Sequence, residues 1–352
     1  MAARPAARQV VPLGRACDNA CVFCAQEGLP REAVHDVVMP QPGAEGITFV
    51  GGEPGSDPRL EGLVARARAA GHTRIGVQTN GRALSAPGRI EALARAGLTD
   101  VHLSIHGPDA RVHDWHTGAP GSFDAALQTL AAARAAGLGV VVVTVLTRSS
   151  FRVLAPMPRL LASRGVAAWC IDVPRWRGRA QTDADRVVPR LALALPFALH
   201  AIDAAEALGL PAFVRGAPSC LLGPFASRAL AEDEARGFAE ACATCPSKAT
   251  CTGVDTPYLA RFGAGELTPC PAVARDTRRA SLAALFVGTG EMAPVREDLA
   301  VHPPPERARV ALPVLGRPAP AHAEVPAGAP KQTGDALKAI LPDLFAGKRG
   351  ER

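Results

Sequence analysis

The sequence lacks any apolar run long enough to cross a membrane. No window approaches the roughly 20 uncharged apolar residues that a membrane-spanning helix needs. The first residues, MAARPAARQVVPLGRAC, contain no apolar stretch of signal-peptide length. We therefore expect no membrane partner and a cytoplasmic location, where thiols stay reduced and clustered cysteines indicate metals rather than disulfides.

Blocks of basic charge are missing as well. The formal net charge is +6, yet the basic residues are almost all arginines scattered through alanine-rich segments. Because no basic face is concentrated, we expect no nucleic-acid partner. With 352 residues, 48% of them hydrophobic and 20% charged, the chain can bury a large core, which excludes a disordered or fibrous protein.

One unit recurs along the chain: an alanine-rich stretch, a glycine, and then an apolar run rich in β-branched residues. Glycine tolerates the left-handed conformation that ends a helix, so the unit predicts a helix followed by a strand. The glycines are Gly71, Gly97, Gly137, Gly165 and Gly209. With early strands at about 9–13 and 47–50, six strands precede Pro174. Alternating helices and strands predict an α/β fold, an open or partial (β/α)6 barrel.

Every unusual polar motif follows one of these strands. In such barrels, the loops after the strands carry the chemistry. We therefore expect one active site formed by six loops. They begin at Cys17, at GGEP (51–54), at QTNG (78–81), at SIHG (104–107), at Thr144 and at PRWRG (174–178).

Three of the nine cysteines stand in the first loop, in the stretch CDNACVFC. A closed zinc site takes four ligands, and disulfides use cysteines in pairs. The odd set of Cys17, Cys21 and Cys24 therefore indicates a metal centre with one position left open.

The C-x3-C-x2-C spacing, with Phe23 before the last cysteine and GGEP on the next strand, resembles the radical S-adenosylmethionine (radical SAM) superfamily. The resemblance spans residues 9 to about 180. It implies that Cys17, Cys21 and Cys24 hold three irons of a [4Fe–4S] cluster, with S-adenosylmethionine chelating the fourth. One electron then cleaves this cofactor to a 5′-deoxyadenosyl radical, which abstracts hydrogen from a substrate. A reductant such as flavodoxin or ferredoxin is implied as a partner.

The same resemblance implies that the GGEP loop binds the methionine end of the cofactor. Gly51 and Gly52 lack side chains, so the backbone can approach that end closely, with Glu53 and Pro54 completing the loop. The alternative is a simple strand-to-helix turn.

Further rim residues each have one assignment and one alternative. The resemblance implies contacts of Ser104 and Thr144 with the ribose, against the alternative of buried hydroxyls that bond their own backbone. Arg148 matches the methionine carboxylate, against the alternative of a solvated surface charge. The candidate substrate contacts are Asn80, His106, His113 and Asp114, and for the histidines the alternative is a structural hydrogen-bonding role without chemistry.

A second cysteine group lies in CATCPSKATC, where Cys242, Cys245 and Cys251 have C-x2-C-x5-C spacing. Cys220 precedes this group and Cys270 follows it. Such spacing occurs in zinc ribbons. After a radical SAM barrel, it resembles the SPASM and Twitch extensions, which implies an auxiliary [4Fe–4S] cluster.

The group departs from the full SPASM pattern at Asp255, where that pattern has a further cysteine. We therefore expect one auxiliary cluster, with either Cys220 or Cys270 as the fourth ligand and one of the five cysteines surplus. Cys170 is expected to be a buried small hydrophobic residue.

Three regions follow from these patterns. They are a radical SAM core barrel (1–215), a small cysteine-rich extension (216–290), and a Pro/Ala-rich linker with a short helix (291–352). The apolar residues of that helix are Leu337, Ile340, Leu341 and Leu344. A frayed terminus is the alternative for this tail.

The predicted function is radical SAM catalysis. Members with such extensions often modify peptides or proteins and some act on small molecules, so the resemblance favours a peptide substrate over a small molecule. The competing class is a non-catalytic metal-binding or electron-transfer protein. The GGEP loop speaks against that class, because an electron carrier needs no cofactor loop.

Overall fold

The computed structural model describes residues 8–26, 46–230 and 236–273. They contain an eight-stranded sheet in which all neighbouring strands are parallel and follow one another in chain order. The strands are β1 (Gln9–Pro12), β2 (Gly46–Val50), β3 (Arg74–Thr79), β4 (Asp100–Ser104), β5 (Gly139–Val145), β6 (Ala168–Asp172), β7 (Ala212–Arg215) and β8 (Ala229–Leu230). Because β1 and β8 lie at opposite edges, the sheet is an open partial barrel, which confirms the predicted fold class.

The sheet extends beyond the six strands predicted before Pro174. β7 follows the last of the glycine-ended helices, as the recurring unit predicts. β8 then pairs with β7 through Ala229 and Leu230, so the sheet continues past residue 215, where the predicted core ends. No alanine-rich helix precedes β8, and the recurring unit therefore does not predict it.

Helices connect most of the strands. They are α1 (Leu60–Ala69), α2 (Arg89–Ala96), α3 (Ala110–Thr117), α4 (Ser122–Ala135), α5 (Met157–Ala162), α6 (Gly178–Thr182), α7 (Ala184–Val187), α8 (Leu191–Ala207) and α9 (Thr256–Phe262). The five predicted helix-ending glycines all have positive φ, between 69° and 121°. Glycine adopts this backbone without the steric cost that other residues meet, so the helices end where the sequence predicts.

Side chains alternate between the two faces of the sheet. The outer face packs against the helices in a large apolar cluster, to which β5 contributes Val140 and Val142. The inner face carries a smaller cluster that includes Val141, Val143 and Cys170. Cys170 is fully buried there, as predicted for a small hydrophobic residue.

A buried ion pair occupies the amino end of the barrel. Arg8 Nη1 donates to Asp100 Oδ2 at 2.6 Å, and Asp100 is the first residue of β4. His102 Nε2 lies 2.8 Å from the same carboxylate oxygen. With this end filled by side chains, the carboxyl edge of the strands carries the loops that can form a site.

Residues 274–352 lie outside the described residues, and they include the predicted linker and short helix with Leu337, Ile340, Leu341 and Leu344. That assignment stays a prediction. None of the described helices is long and apolar enough to cross a membrane.

Candidate functional site

The loop after β1 carries Cys17, Cys21 and Cys24 along the carboxyl edge of the sheet. The end of α3 holds this loop in place. Ala20 N donates to the carbonyl of Thr117 at 2.8 Å, and Val22 N donates to the carbonyl of His116 at 2.9 Å. The three cysteines are therefore attached to the edge of the barrel by backbone hydrogen bonds rather than standing in a free loop.

The three thiols lie close enough to influence one another electrostatically. Burial raises the pKa of the Cys21 thiol, and the neighbouring Cys24 and Cys17 raise it further. Arg179 acts in the opposite direction on the same thiol. Three anionic thiolates at this place therefore need positive charge beside them, which a metal centre supplies.

The GGEP loop after β2 packs directly on the cysteine loop. Glu53 N donates to the carbonyl of Ala16 at 2.7 Å, and Gly52 N donates to Gln26 Oε1 at 2.8 Å. Gly52 has φ +55°, and a Cβ atom there would lie 2.2 Å from the carbonyl oxygen of Ala16. A Cβ atom on Gly51 would lie 2.6 Å from the carbonyl oxygen of Gly14. The two glycines thus allow two loop backbones to touch, a contact that the sequence alone did not predict.

Glu53 is buried and joins the GGEP loop to the next loop. Its Oε2 accepts from Asn80 N at 2.6 Å, and its Oε1 accepts from Gly55 N at 2.8 Å and from the Thr79 hydroxyl. Burial raises the pKa of Glu53 to about 7, although these hydrogen bonds oppose the rise. Both carboxyl oxygens are used within the protein, so in this structure Glu53 braces β3 against GGEP.

Asn80, a candidate substrate contact, reaches the cysteine loop itself. Its Nδ2 donates to Asp18 Oδ1 at 2.7 Å and lies 3.7 Å from Cys17 Sγ. Arg82 donates to the backbone carbonyl of Asp18 and forms an ion pair with the Asp18 carboxylate. The loop after β3 therefore contacts the first cysteine directly.

His106 and His113 form a buried stack beside the cysteine loop. The ring of Phe23 lies 4.6 Å from that of His106, which in turn lies 5.7 Å from that of His113. His113 Nδ1 accepts from His106 N at 3.0 Å, and burial lowers the pKa of His113 to about 4. Both imidazoles are neutral side chains packed inside the protein, so the structure places them under Phe23 rather than on an open surface.

Two residues with predicted ligand contacts, Asp114 and Thr144, make hydrogen bonds within the protein. The Asp114 carboxylate accepts from Gly121 N at 2.7 Å and from Phe123 N at 2.8 Å, which fixes the start of α4. The Thr144 hydroxyl is fully buried toward the helices, where it donates to the carbonyl of Ile105 at 2.6 Å and accepts from Trp169 Nε1 at 2.9 Å. In this structure both groups bond to other parts of the protein, and their contacts with a ligand stay predictions.

The other two rim residues differ in what they contact. Arg148 donates to the backbone carbonyl of Asp185, so its guanidinium is held against α7. Ser104 is the last residue of β4 and is partly exposed at the carboxyl edge. Of the two residues predicted to contact the ribose, Ser104 is partly exposed and Thr144 is buried.

All five later cysteines line one open cavity. They are Cys220, Cys242, Cys245, Cys251 and Cys270. Phe238, Lys248 and Leu267 line it as well. The fold therefore brings both Cys220 and Cys270 to the C-x2-C-x5-C group. The sequence spacing alone did not show whether either residue would join it.

Backbone amides point at two of these sulfur atoms. Cys251 Sγ accepts from Ser219 N and from Gly253 N, both at 3.4 Å. Cys245 Sγ accepts from Cys270 N at 3.5 Å, and this bond lowers the pKa of Cys245. Amide donors of this kind stabilise thiolates and tune the potential of iron–sulfur clusters.

The cysteine-lined cavity is attached to the barrel through the segment after β6. Trp176 N donates to Asp255 Oδ2 at 3.2 Å, and the Trp176 ring lies 6.3 Å from the Tyr258 ring on α9. Asp255 stands where the full SPASM pattern has a cysteine. In this chain the position carries a carboxylate that docks on the barrel.

Thiols are the donors that iron–sulfur clusters take, so both sets fit such a group chemically. Within the described parts of the chain, no three His, Cys, Asp or Glu side chains are arranged around a single metal ion. A [4Fe–4S] cluster makes a different demand, because each of its thiolates binds a different iron atom.

Residues 11–149 match the family model of the Radical SAM superfamily. The matched stretch contains the end of β1, the cysteine loop, the GGEP loop and the strands β2 to β5 of the parallel sheet. Over these residues the chain is similar to the radical SAM superfamily, a class of enzymes that use S-adenosylmethionine and a [4Fe–4S] cluster.

Particular relatives carry a more specific name. The chain is 29% identical over 184 residues to the AdoMet-dependent heme synthase of Nitratidesulfovibrio vulgaris, covering 49% of this chain and 50% of the relative. The heme synthase of Methanosarcina barkeri is 28% identical over 185 residues, covering 49% and 52%. The chain spans about half the length of the curated relatives it matches.

Among solved structures, the chain resembles Streptococcus suis SuiB bound to S-adenosylmethionine. The TM-score is 0.47 at 15% identity, with coverage of 60% of this chain and 51% of SuiB. SuiB bound to its precursor peptide SuiA gives the same TM-score at 14% identity, covering 60% of this chain and 49% of SuiB.

Proposed function

We propose that this protein cleaves S-adenosylmethionine reductively at a [4Fe–4S] cluster held by Cys17, Cys21 and Cys24. The observation that carries the proposal is the direct packing of the GGEP loop on the cysteine loop, through Gly52 and the Ala16 carbonyl. When bound, the cluster and cofactor supply a 5′-deoxyadenosyl radical that abstracts hydrogen from a substrate. A reductant of the flavodoxin or ferredoxin kind supplies the electron.

The chain's own residues orient the cofactor and hold the loops of the site in position relative to one another. The backbone of Gly51 to Pro54 lines the position for the methionine end, and Ser104 faces the ribose from β4. Glu53 and Asn80 act as positioning residues, because they join the loops after β2 and β3 to each other and to the cysteine loop. Arg148 remains a candidate for the carboxylate only if it releases Asp185.

We also propose an auxiliary [4Fe–4S] cluster in the cavity lined by five cysteines. The convergence of five cysteines on one cavity supports a cluster, since each iron of a cluster that the protein holds takes its own thiolate. The hydrogen bonds that backbone amides donate to the sulfur atoms of Cys245 and Cys251 support the same assignment. A zinc ion is the alternative, and metal analysis separates the two.

The named relatives favour a small-molecule substrate. They are heme synthases, so we propose that this chain acts on a compound of the kind from which heme is made. Modification of a peptide or protein is the second candidate, which the cysteine-rich extension alone favours.

The deciding experiment is anaerobic reconstitution with iron, sulfide and S-adenosylmethionine, followed by reduction with dithionite and assay for 5′-deoxyadenosine. We expect product from the wild type and none from a variant with Cys17, Cys21 and Cys24 all changed to Ala. Cys170→Ala is the matched control, because that buried thiol lies in neither set and its loss leaves product formation intact. Bound iron without any 5′-deoxyadenosine would indicate an electron-transfer protein instead.

The substrate class is tested in the same reaction. Heme precursors and candidate peptides are added separately, and consumption of each is followed by mass spectrometry. Consumption of a peptide alone would contradict the small-molecule assignment.

A further inference from the structure

A second segment, which follows β6, also contacts the cysteine loop. Arg179, in α6 after β6, donates from its backbone N to the carbonyl of Cys24 at 2.9 Å. Its Nη1 donates to the carbonyl of Cys21 at 2.8 Å. One residue, more than 150 positions away in sequence, thus holds the backbones of two cysteines.

The residue before it makes this approach possible. Gly178 has φ +52°, and a Cβ atom there would lie 2.6 Å from the carbonyl oxygen of Cys24. Any larger residue would push α6 away from the cysteine loop. Gly178 therefore sets the distance at which Arg179 reaches both carbonyls.

The guanidinium of Arg179 stands in an unusually dry place for a charge. The residue is 4% exposed and lies next to a small apolar cluster of Val22, Ala180 and Val187. A buried charge acts strongly on its neighbours, because little water screens it.

The segment that carries Arg179 is itself fixed at its other end. Trp176 bonds to Asp255 and packs near Tyr258, so the chain between β6 and α6 is tied to the cysteine-lined cavity region. Arg179 is therefore held on a short segment with contacts on both sides.

We propose that Arg179 is a positioning residue for the N-terminal cluster, which orients Cys21 and Cys24 through their carbonyls and stabilises the reduced cluster with its buried charge. The proposal rests on the proposed function. Reduction adds one electron from the external reductant to the cluster, with no bond made or broken. The added negative charge is favoured by a nearby cation, so loss of the cation makes the cluster harder to reduce.

The test is a redox titration of the full-length reconstituted protein, followed by electron paramagnetic resonance. The N-terminal cluster is identified as the signal that changes when S-adenosylmethionine is added. For Arg179→Gln we expect about a tenfold loss in the ratio of reduced to oxidised cluster at a given potential, a shift of about 59 mV to more negative values for one electron. Arg179→Lys keeps the charge and loses the forked geometry, so its potential stays near that of wild type while its spectrum changes.

Arg8→Gln is the matched control. Arg8 is also a buried arginine, but it pairs with Asp100 at the amino end of the barrel. We expect it to lower stability without shifting the potential of the cluster. An Arg179→Gln variant with the wild-type potential and spectrum would overturn the proposal.

Two further results separate the possible failures. If Arg179→Gln is insoluble, Arg179→Lys decides, and a Lys spectrum identical to wild type would overturn the positioning role. If the wild type itself gives no signal that responds to S-adenosylmethionine, the proposed function fails instead.

Discussion

Gly52 offers the sharpest test of how the two loops form one site. In a Gly52→Ala variant, the new Cβ atom would lie 2.2 Å from the carbonyl oxygen of Ala16 and 2.6 Å from the carbonyl carbon of Arg15. Both contacts are with backbone, so they cannot be relieved by a side-chain rotation. The backbone at Gly52 also has φ +55°, which an alanine adopts at a cost of about 1–2 kcal/mol.

The clash and the backbone strain can be separated by a control. Gly137 has φ +74°, and a Cβ atom there would have no neighbour within 4 Å, so Gly137→Ala carries the strain without the clash. We expect that control to lower the free energy of unfolding by about 1–2 kcal/mol and to leave cofactor binding unchanged. Gly52→Ala should add about 1–3 kcal/mol of local overpacking.

The overpacking falls on the cysteine loop. The affinity for S-adenosylmethionine should therefore fall by about 5-fold to 150-fold, since about 1.4 kcal/mol corresponds to a factor of ten. The assay is anaerobic equilibrium binding of S-adenosylmethionine to iron-loaded protein, with denaturant unfolding measured in parallel. Equal affinities for Gly52→Ala, Gly137→Ala and wild type would refute the reasoning that this contact shapes the cofactor site.

Other variants test the remaining assignments. We expect about eight irons per wild-type chain, and Cys245→Ala should lower this to about half while substrate-free cleavage of S-adenosylmethionine continues; stoichiometric zinc in wild type would contradict the auxiliary cluster. Burial raises the pKa of Glu53 from 4.5 to about 7, so the folded state binds more protons than the unfolded state in that window. The free energy of unfolding of wild type should therefore fall between pH 4.5 and 7 relative to Glu53→Gln, and parallel pH profiles would contradict this. Asp114→Ala removes the acceptor at the start of α4 and should cost about 1–2 kcal/mol by denaturant unfolding, with 5′-deoxyadenosine formation retained; lost activity at full stability would restore a substrate role. Thr144→Val should cost about 1–3 kcal/mol, because it removes the partner of the buried Trp169 Nε1, and weaker cofactor binding by a fully stable variant would count against this account.

Asp255 helps to attach the cysteine-lined cavity to the barrel. A cysteine at that position would be available as a further cluster ligand. Here the carboxylate accepts from Trp176 N and lies 3.7 Å from Arg236, so it joins two parts of the chain instead. One auxiliary cluster rather than two stays a prediction, which metal analysis can test.

Features that depend on neighbouring residues could be predicted from the sequence. Helix ends followed from glycines such as Gly71 and Gly209, because positive φ is a local property of the backbone. The class of protein followed from Cys17, Cys21 and Cys24 with GGEP, since ligand spacing within one short loop is also local. The order of the parallel strands followed from the alternation of helix and strand, which leaves few ways to connect them.

Contacts between residues that the fold brings together could be seen only in the tertiary structure. Thr144 stands in VVVVTV, a run with no polar alternation, so only the register of β5 showed that its hydroxyl points toward the helices. The sequence suggested Asp114 as a rim residue. In the structure the chain turns after α3, and Gly121 N donates to the Asp114 carboxylate. Arg179 is separated from Cys21 by more than 150 residues, and no local pattern specifies a contact that forms only when the sheet curls and brings β6 toward β1. Residues that serve one site from distant parts of the chain are found by folding, because their chemistry is set by neighbours that the sequence does not place beside them.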